Sequence, residues 1–198
     1  MTKSGPVVKY ARFGGMVMWS MVCALTASGQ PRAIDAAKST MTVHVYKTGM
    51  LSALGHDHEI SALVTAGTVD TAGRKVELQV NAAALRVQDP KGSDKDRGEI
   101  QANMLGPDVL DAEKHKEIRF RSTSAESAGE GGWKVSGELT LHGATQPVSI
   151  DVHERDGHYV GTCRFNITNF GIKPIKAAGG TVRVKDEVQI DFDIQLAH

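Results

Sequence analysis

Gly55-His56-Asp57-His58-Glu59 concentrates groups that ligate metals or move protons more densely than any other stretch of this 198-residue chain. On a strand, His56 and His58 project from the same face about 7 Å apart, at ~3.4 Å per residue. Two imidazoles so spaced reach one cation. A zinc site needs at least three protein ligands, however, and no third follows nearby in sequence. Asp57, Glu59 or His142 complete a set only if the fold brings them close. A His–Asp pair here also lacks an obvious nucleophile. His56 and His58 therefore stay open between three roles: supporting a strand start, touching the polar end of a bound ligand, or binding metal. His58-Glu59 begins like H-E-x-x-H, but the fifth position is Ala62. The sequence contains no G-x-S-x-G elbow, no phosphate-binding G-x-x-x-x-G-K-[ST] loop and no C-x-x-C pair. No catalytic residue, metal ligand or cofactor is assigned, and the chain is not expected to be an enzyme. Cys163 falls in an apolar phase between Tyr159 and Phe165 and reads as a small buried hydrophobe.

The elements that must position these groups are strands. From residue 39 onward the apolar residues recur with period two. Eight segments show it: Met41 to Val45, Ile60 to Val69, Val76 to Val80, Ile118 to Phe120, Trp133 to Leu141, Val148 to Val152, Tyr159 to Phe165 and Val188 to Ile194. One apolar face per strand points to antiparallel pairing. Thr71-Ala72-Gly73, Gly129 to Gly132, His142-Gly143 and Asp156-Gly157 supply the hairpin turns. A closed barrel and a sandwich both fit this pattern. One stretch reads as helix, from a cap at Ser93 or Asp94 to about Leu105, with Ile100, Met104 and Leu105 on one stripe. Pro107 suits the first turn of a second short helix ending at Asp111. These helices are expected near one mouth of the sheet.

Composition narrows the function. Lys plus Arg and Asp plus Glu are both 23. The first 30 residues hold Lys3, Lys9 and Arg12 and no acid, so 23 less 3 leaves 20 bases against 23 acids, a net of −3. A nucleic-acid binder would show the opposite excess. Phe13 to Ala27 is apolar and uncharged, and small residues follow it. A basic start, a short apolar run and a small-residue end make residues 1–29 a secretory signal peptide, with a single domain over residues 30–198. The run is too short for a span of about 20 residues, so no transmembrane segment is expected after cleavage. Only Cys163 then remains, and no disulfide can staple the fold. With 5% aromatic residues spread over eight strands, the inner face is made of Val, Ile, Leu, Ala and Gly. Such a face leaves room for an apolar ligand, and the same residues would also fill a solid core.

One segment carries a family likeness. Gly137-Glu-Leu-Thr-Leu-His-Gly-Ala-Thr-Gln-Pro-Val148 resembles the G-x-L-T-[IL]-H-G-V-T-[KR]-P-V segment of the YceI-like family of exported lipid-binding proteins. Weaker matches follow the family's order: Ala33-Ile34-Asp35 with Ser39-Thr40-Met41, Leu110 to Ser122, Phe165 to Ile172, and Val184 to Val188. Where the family has Tyr-Pro this chain has His115-Lys116, and Ile167 replaces the Arg before D-F-G. The resemblance implies an eight-stranded antiparallel barrel of lipocalin-like shape. It also implies an apolar tunnel for a polyisoprenoid, isoprenoid quinone or similar amphiphile, and a periplasmic or secreted location.

The reading that follows is an exported carrier whose partner is a long-chain lipid; the sequence also allows a homodimer. The residues expected to line its tunnel are Val43, Val45, Ile60, Leu78, Val80, Phe120, Leu139, Leu141, Ile150, Phe165, Phe170, Ile190 and Phe192, with His56 and His58 at the headgroup. The alternative is a metal-binding protein or metal-dependent enzyme built on His56 and His58. Gly161 shares the phase of Cys163 and Phe165 and is expected to face free space in the tunnel. The export signal generates a direct expectation: protein recovered outside the cytoplasm begins between Ser28 and Pro31. N-terminal sequencing that returns Met1 or Thr2 from that fraction refutes cleavage.

Overall fold

A computed structural model of the chain describes residue 1 and residues 30–48, 57–90, 92–177 and 182–197. The expected signal peptide, apart from its first residue, lies outside the described residues, and so does His56. No helix among the described residues is long and apolar enough to cross a membrane.

The period-two segments fold into one antiparallel sheet. In chain order its strands are β1 (Arg32–Ala33), β2 (Thr40–Thr48), β3 (His58–Ser61), β4 (Val64–Asp70), β5 (Lys75–Asn81), β6 (Arg86–Val87), β7 (Glu117–Ser127), β8 (Gly132–Leu141), β9 (Ala144–Arg155), β10 (His158–Asn166), β11 (Lys176–Ala177) and β12 (Val182–Gln195). Neighbours run β1-β4-β5-β7-β8-β9-β10-β12-β2-β3-β6, and β11 pairs with β12 off that path. The path thus holds eleven strands, which corrects the expected eight. The eight expected segments all form strands, but the one at residues 60–69 splits into β3 and β4. Between them the Ala62 N–H turns to the Met41 carbonyl at 3.0 Å, and a bulge follows at Val64–Ala66. The two-residue strands β1 and β6 are too short to show an alternation.

The sheet curls into a half-barrel, and β1 stitches its edge. The Ile34 N–H donates to the Gly67 carbonyl at 2.9 Å on the β4 side. On the other side Asp35 N–H donates to the Gln195 carbonyl and Ala197 N–H to the Ala33 carbonyl, both at 2.8 Å. Ser39, 3% exposed, pins this seam: its hydroxyl donates to the Asp35 carbonyl at 2.7 Å and accepts the Gln195 N–H at 3.0 Å.

Register carries apolar side chains across the sheet in rows, because residues directly opposite share a face. One row runs Ile60–Val43–Ile190–Cys163–Ile150–Val135–Ala125 across seven strands. A second runs Met41–Phe192–Gly161–Val152–Trp133. The β8–β9 and β9–β10 hairpins turn on His142-Gly143 (φ 52° and 76°) and Asp156-Gly157 (φ 52° and 81°). Positive φ at both central positions matches the right-handed twist of the strands.

Helix α1 (Asp94–Leu105) is capped as expected, with the Ser93 hydroxyl accepting the Asp96 N–H at 3.1 Å. Gln101 fastens it to the open side of β6: its side chain accepts the Val87 N–H at 2.8 Å and donates to the Leu85 carbonyl at 2.9 Å. The second helix expected over residues 107–111 is instead a series of turns. Asp111 has φ 43°, a left-handed value through which no α-helix continues.

The Ser39 pin has a measurable cost. Ser39→Ala leaves the part-buried Gln195 N–H without its acceptor, so stability falls by about 1 kcal/mol. Urea denaturation checks it, and an unchanged midpoint assigns the seam's strength to the backbone bonds alone.

Candidate functional site

The concave face of the sheet encloses two apolar cavities. The first, of about 220 Å³, lies among Met41, Val69, Val76, Leu78, Val80, Phe120, Ala125, Trp133, Val135, Ile150, Val152, Tyr159, Cys163 and Phe192. Asp70, Arg74, Lys75 and Glu154 stand at its rim, and the Arg74 guanidinium lies 5.6 Å from the centre of the Trp133 ring. The second, of about 390 Å³, lies among Val43, Val45, Ile60, Leu85, Ile100, Met104, Val109, Leu110, Leu141, Phe165, Ile167, Ile172 and Val188. Ile118, Leu139 and Ile190 line both cavities, so these three side chains form a waist between them. The walls are thus β-branched and aliphatic side chains, with few polar atoms to interrupt them.

Twelve of the thirteen expected lining residues meet these cavities. Leu78, Val80, Phe120, Ile150 and Phe192 face the first, Val43, Val45, Ile60, Leu141 and Phe165 the second, and Leu139 and Ile190 both. Phe170 does not. It is 1% exposed, sits in the 3₁₀ turn Ile167–Phe170 and packs edge-to-face on Phe165 at 5.2 Å. That turn breaks the period-two phase, which places Phe170 behind the wall instead of in it. Gly161 also departs from expectation. A Cβ there would lie 2.2 Å from the Asp151 carbonyl oxygen and 2.6 Å from the Phe192 ring, so the position is closely packed and faces no free space.

The second cavity, like the first, has a polar end. Lys47, His58, Asn103, Lys173 and Arg183 line it, and among the described residues no carboxylate does. His58 is oriented by Asp89, a residue sequence reasoning missed. The Asp89 carboxylate sits 2.6 Å from His58 Nδ1 and accepts the Glu59 N–H at 2.8 Å, while being 1% exposed. One carboxylate thus holds both the imidazole and the start of β3. The signal available was a single Asp beside Pro90, which has no periodicity to mark it. Lys47, Asn103, Lys173 and Arg183 drew no assignment from the sequence, since no motif or spacing connects them.

Cys163 is buried in the wall of the first cavity, 5% exposed. Burial pushes its thiol pKa up to about 11, and the nearby Asp151 carboxylate adds to the rise. At pH 8 the thiolate is then about one part in a thousand, against roughly a quarter for an exposed cysteine.

A family model described as the YceI-like domain matches residues 33–196. A UPF0312 protein of Shewanella baltica (strain OS195) is 26% identical over 179 residues, covering 84% of this chain and 89% of its own. Another UPF0312 protein, from Vibrio parahaemolyticus, is 31% identical over 114 residues, covering 52% and 59%. Among solved structures, Burkholderia cenocepacia BcnA superposes with a TM-score of 0.61 at 20% identity, covering 83% of this chain and 99% of that one. That likeness is one of fold.

The Cys163 environment predicts a pH profile. Alkylation of the native thiol by iodoacetamide keeps rising about tenfold per pH unit beyond pH 9, where an exposed cysteine levels off. Rates that plateau near pH 8.5 show the wall to be open to water.

Proposed function

This chain belongs to the YceI-like family, and on that premise we propose that it is an exported, non-enzymatic carrier of a long-chain amphiphile, such as a polyisoprenoid or isoprenoid quinone. The observation that carries the reading is the pair of apolar cavities sharing a waist at Ile118, Leu139 and Ile190. A long hydrocarbon chain threads such a space and has no hydrogen bonds to satisfy. Each buried CH₂ contributes roughly 0.8 kcal/mol, which offsets the cost of fixing the ligand. The headgroup lies at the second cavity's polar end, where His58, Lys47, Lys173 and Arg183 suit an oxygen-rich, acceptor-bearing group. The basic start and apolar run of residues 1–27 support export.

The test uses the waist. Organic extracts of the purified protein contain a long-chain lipid by mass spectrometry, and Leu139→Trp, which fills the waist, sharply lowers it. Overpacking costs about 1–3 kcal/mol, so the variant stays folded, as thermal unfolding verifies. Wild-type protein that neither carries nor takes up such a lipid overturns the reading, and so does a folded Leu139→Trp protein that carries as much lipid as wild type.

A further inference from the structure

A second site lies outside the cavity wall, where the turns that follow α1 meet the β8–β9 hairpin. Asp111, His115 and His142 each present one ligand-capable atom there, and the three atoms lie within 4.8 Å of one another. All three side chains are half-buried. Among the described residues, neither the Asp111 carboxylate nor the ring nitrogens of His115 have a hydrogen-bond or ion-pair partner. A carboxylate and an imidazole that are partly withdrawn from water, brought together and unpaired among these residues, lose solvation that a shared cation restores.

The surroundings hold the three groups in place. The Asp111 N–H donates to the Gly106 carbonyl at 2.8 Å, and the His115 N–H donates to the Asp111 carbonyl at 2.8 Å, so both ligands ride on one turn. Leu110 and Ala112 flank Asp111 and are 8% and 5% exposed, which anchors that turn in the core. His142 sits in the two-residue turn after Leu141, itself 6% exposed. Its Nδ1 lies 3.2 Å from the Phe170 carbonyl. With the proton on Nδ1, that N–H donates to the carbonyl and Nε2 keeps the lone pair a metal takes, the arrangement by which ligating histidines are usually oriented. The His115 and His142 rings meet edge-to-face with centroids 5.0 Å apart. Gly143 makes this approach possible: a Cβ there would lie 2.5 Å from His115 Cε1.

We propose that Asp111, His115 and His142 form a mononuclear site for a divalent cation of the zinc type. A cation at the centre of atoms so spaced lies no more than about 2.8 Å from each, and small side-chain rotations bring it to the roughly 2.0–2.2 Å of zinc–imidazole and zinc–carboxylate bonds. Two nitrogens and one oxygen suit Zn²⁺ better than Ca²⁺ or Mg²⁺, which take oxygen ligands. Three protein ligands leave a fourth position to water or a small anion. The site is independent of the lipid reading, although Leu110 and Leu141, the residues preceding two of the ligands, line the second cavity.

The test is titration of the purified, metal-stripped full chain with Zn²⁺ by calorimetry and with Co²⁺ by visible absorbance. One cation binds per chain, and Co²⁺ gives the intense bands of four-coordination. Asp111→Asn, His115→Gln and His142→Asn each weaken Zn²⁺ binding by about a hundredfold or more, while His58→Gln leaves it unchanged. Asn tolerates the positive φ of Asp111 and His142, so these variants keep the fold, and thermal unfolding without metal checks it. The proposal is overturned by wild-type protein with no saturable one-to-one binding, by binding that survives in the folded variants, or by binding that disappears with His58→Gln.

Discussion

Register across the sheet is the constraint on which the rest of this structure depends. The row from Ile60 through Val43, Ile190, Cys163, Ile150 and Val135 to Ala125 draws one residue from each of seven strands, from β2 near the start of the described sheet to β12 at its end. Because side chains alternate faces with period two, a slip of one residue in any of these ladders turns that strand's apolar set outward. Both cavities and their waist exist only while every ladder keeps its place. The stitching of residues 33–35 to Gly67 and to residues 195–197 fixes the register at the edge of the sheet, where no further long strand enforces it.

Volume inside the curl follows from which residues stand in those rows. Val, Ile and Leu project less than aromatics, and the larger rings are set where they leave space: Phe192 lies over Gly161, and Phe120 over Gly137. Small and large side chains are thus paired across strands, which lets the wall pack closely while the axis stays open. Polar residues gather at the ends. Asp89 holds His58 at one of them from a buried position between β6 and α1 in the chain.

Much of this was legible in the sequence, for physical reasons that also mark its limits. Alternation in Val43, Val45, Ile150 or Phe192 reports directly on which face is inward, so the lining residues were readable strand by strand. The α1 cap was readable because Ser93 stands immediately before a helical stretch. Phe170 was misplaced because a 3₁₀ turn resets the phase after Asn166. The strand count was low because β1, β3 and β6 are defined by partners instead of by length. Gly161 looked spacious because sequence shows the missing side chain and hides the Asp151 carbonyl and the Phe192 ring that fill its place. Asp111, His115 and His142 were invisible as a group, since only the folded hairpin brings residue 142 to the turn that holds the other two.

If the proposed long-chain ligand occupies both cavities, the waist also sets a time scale. A chain lying across both cavities leaves by being drawn past Ile118, Leu139 and Ile190, and its far segment re-enters water methylene by methylene. Each step adds roughly 0.8 kcal/mol to the climb, so release slows about fourfold for every further CH₂ that must emerge before the barrier is crossed. Entry pays no such toll, since the same steps run downhill. For the proposed carrier, ligand chains that differ only in length would therefore load at similar rates and be held for very different times, so that residence time would be the property by which it sorts them.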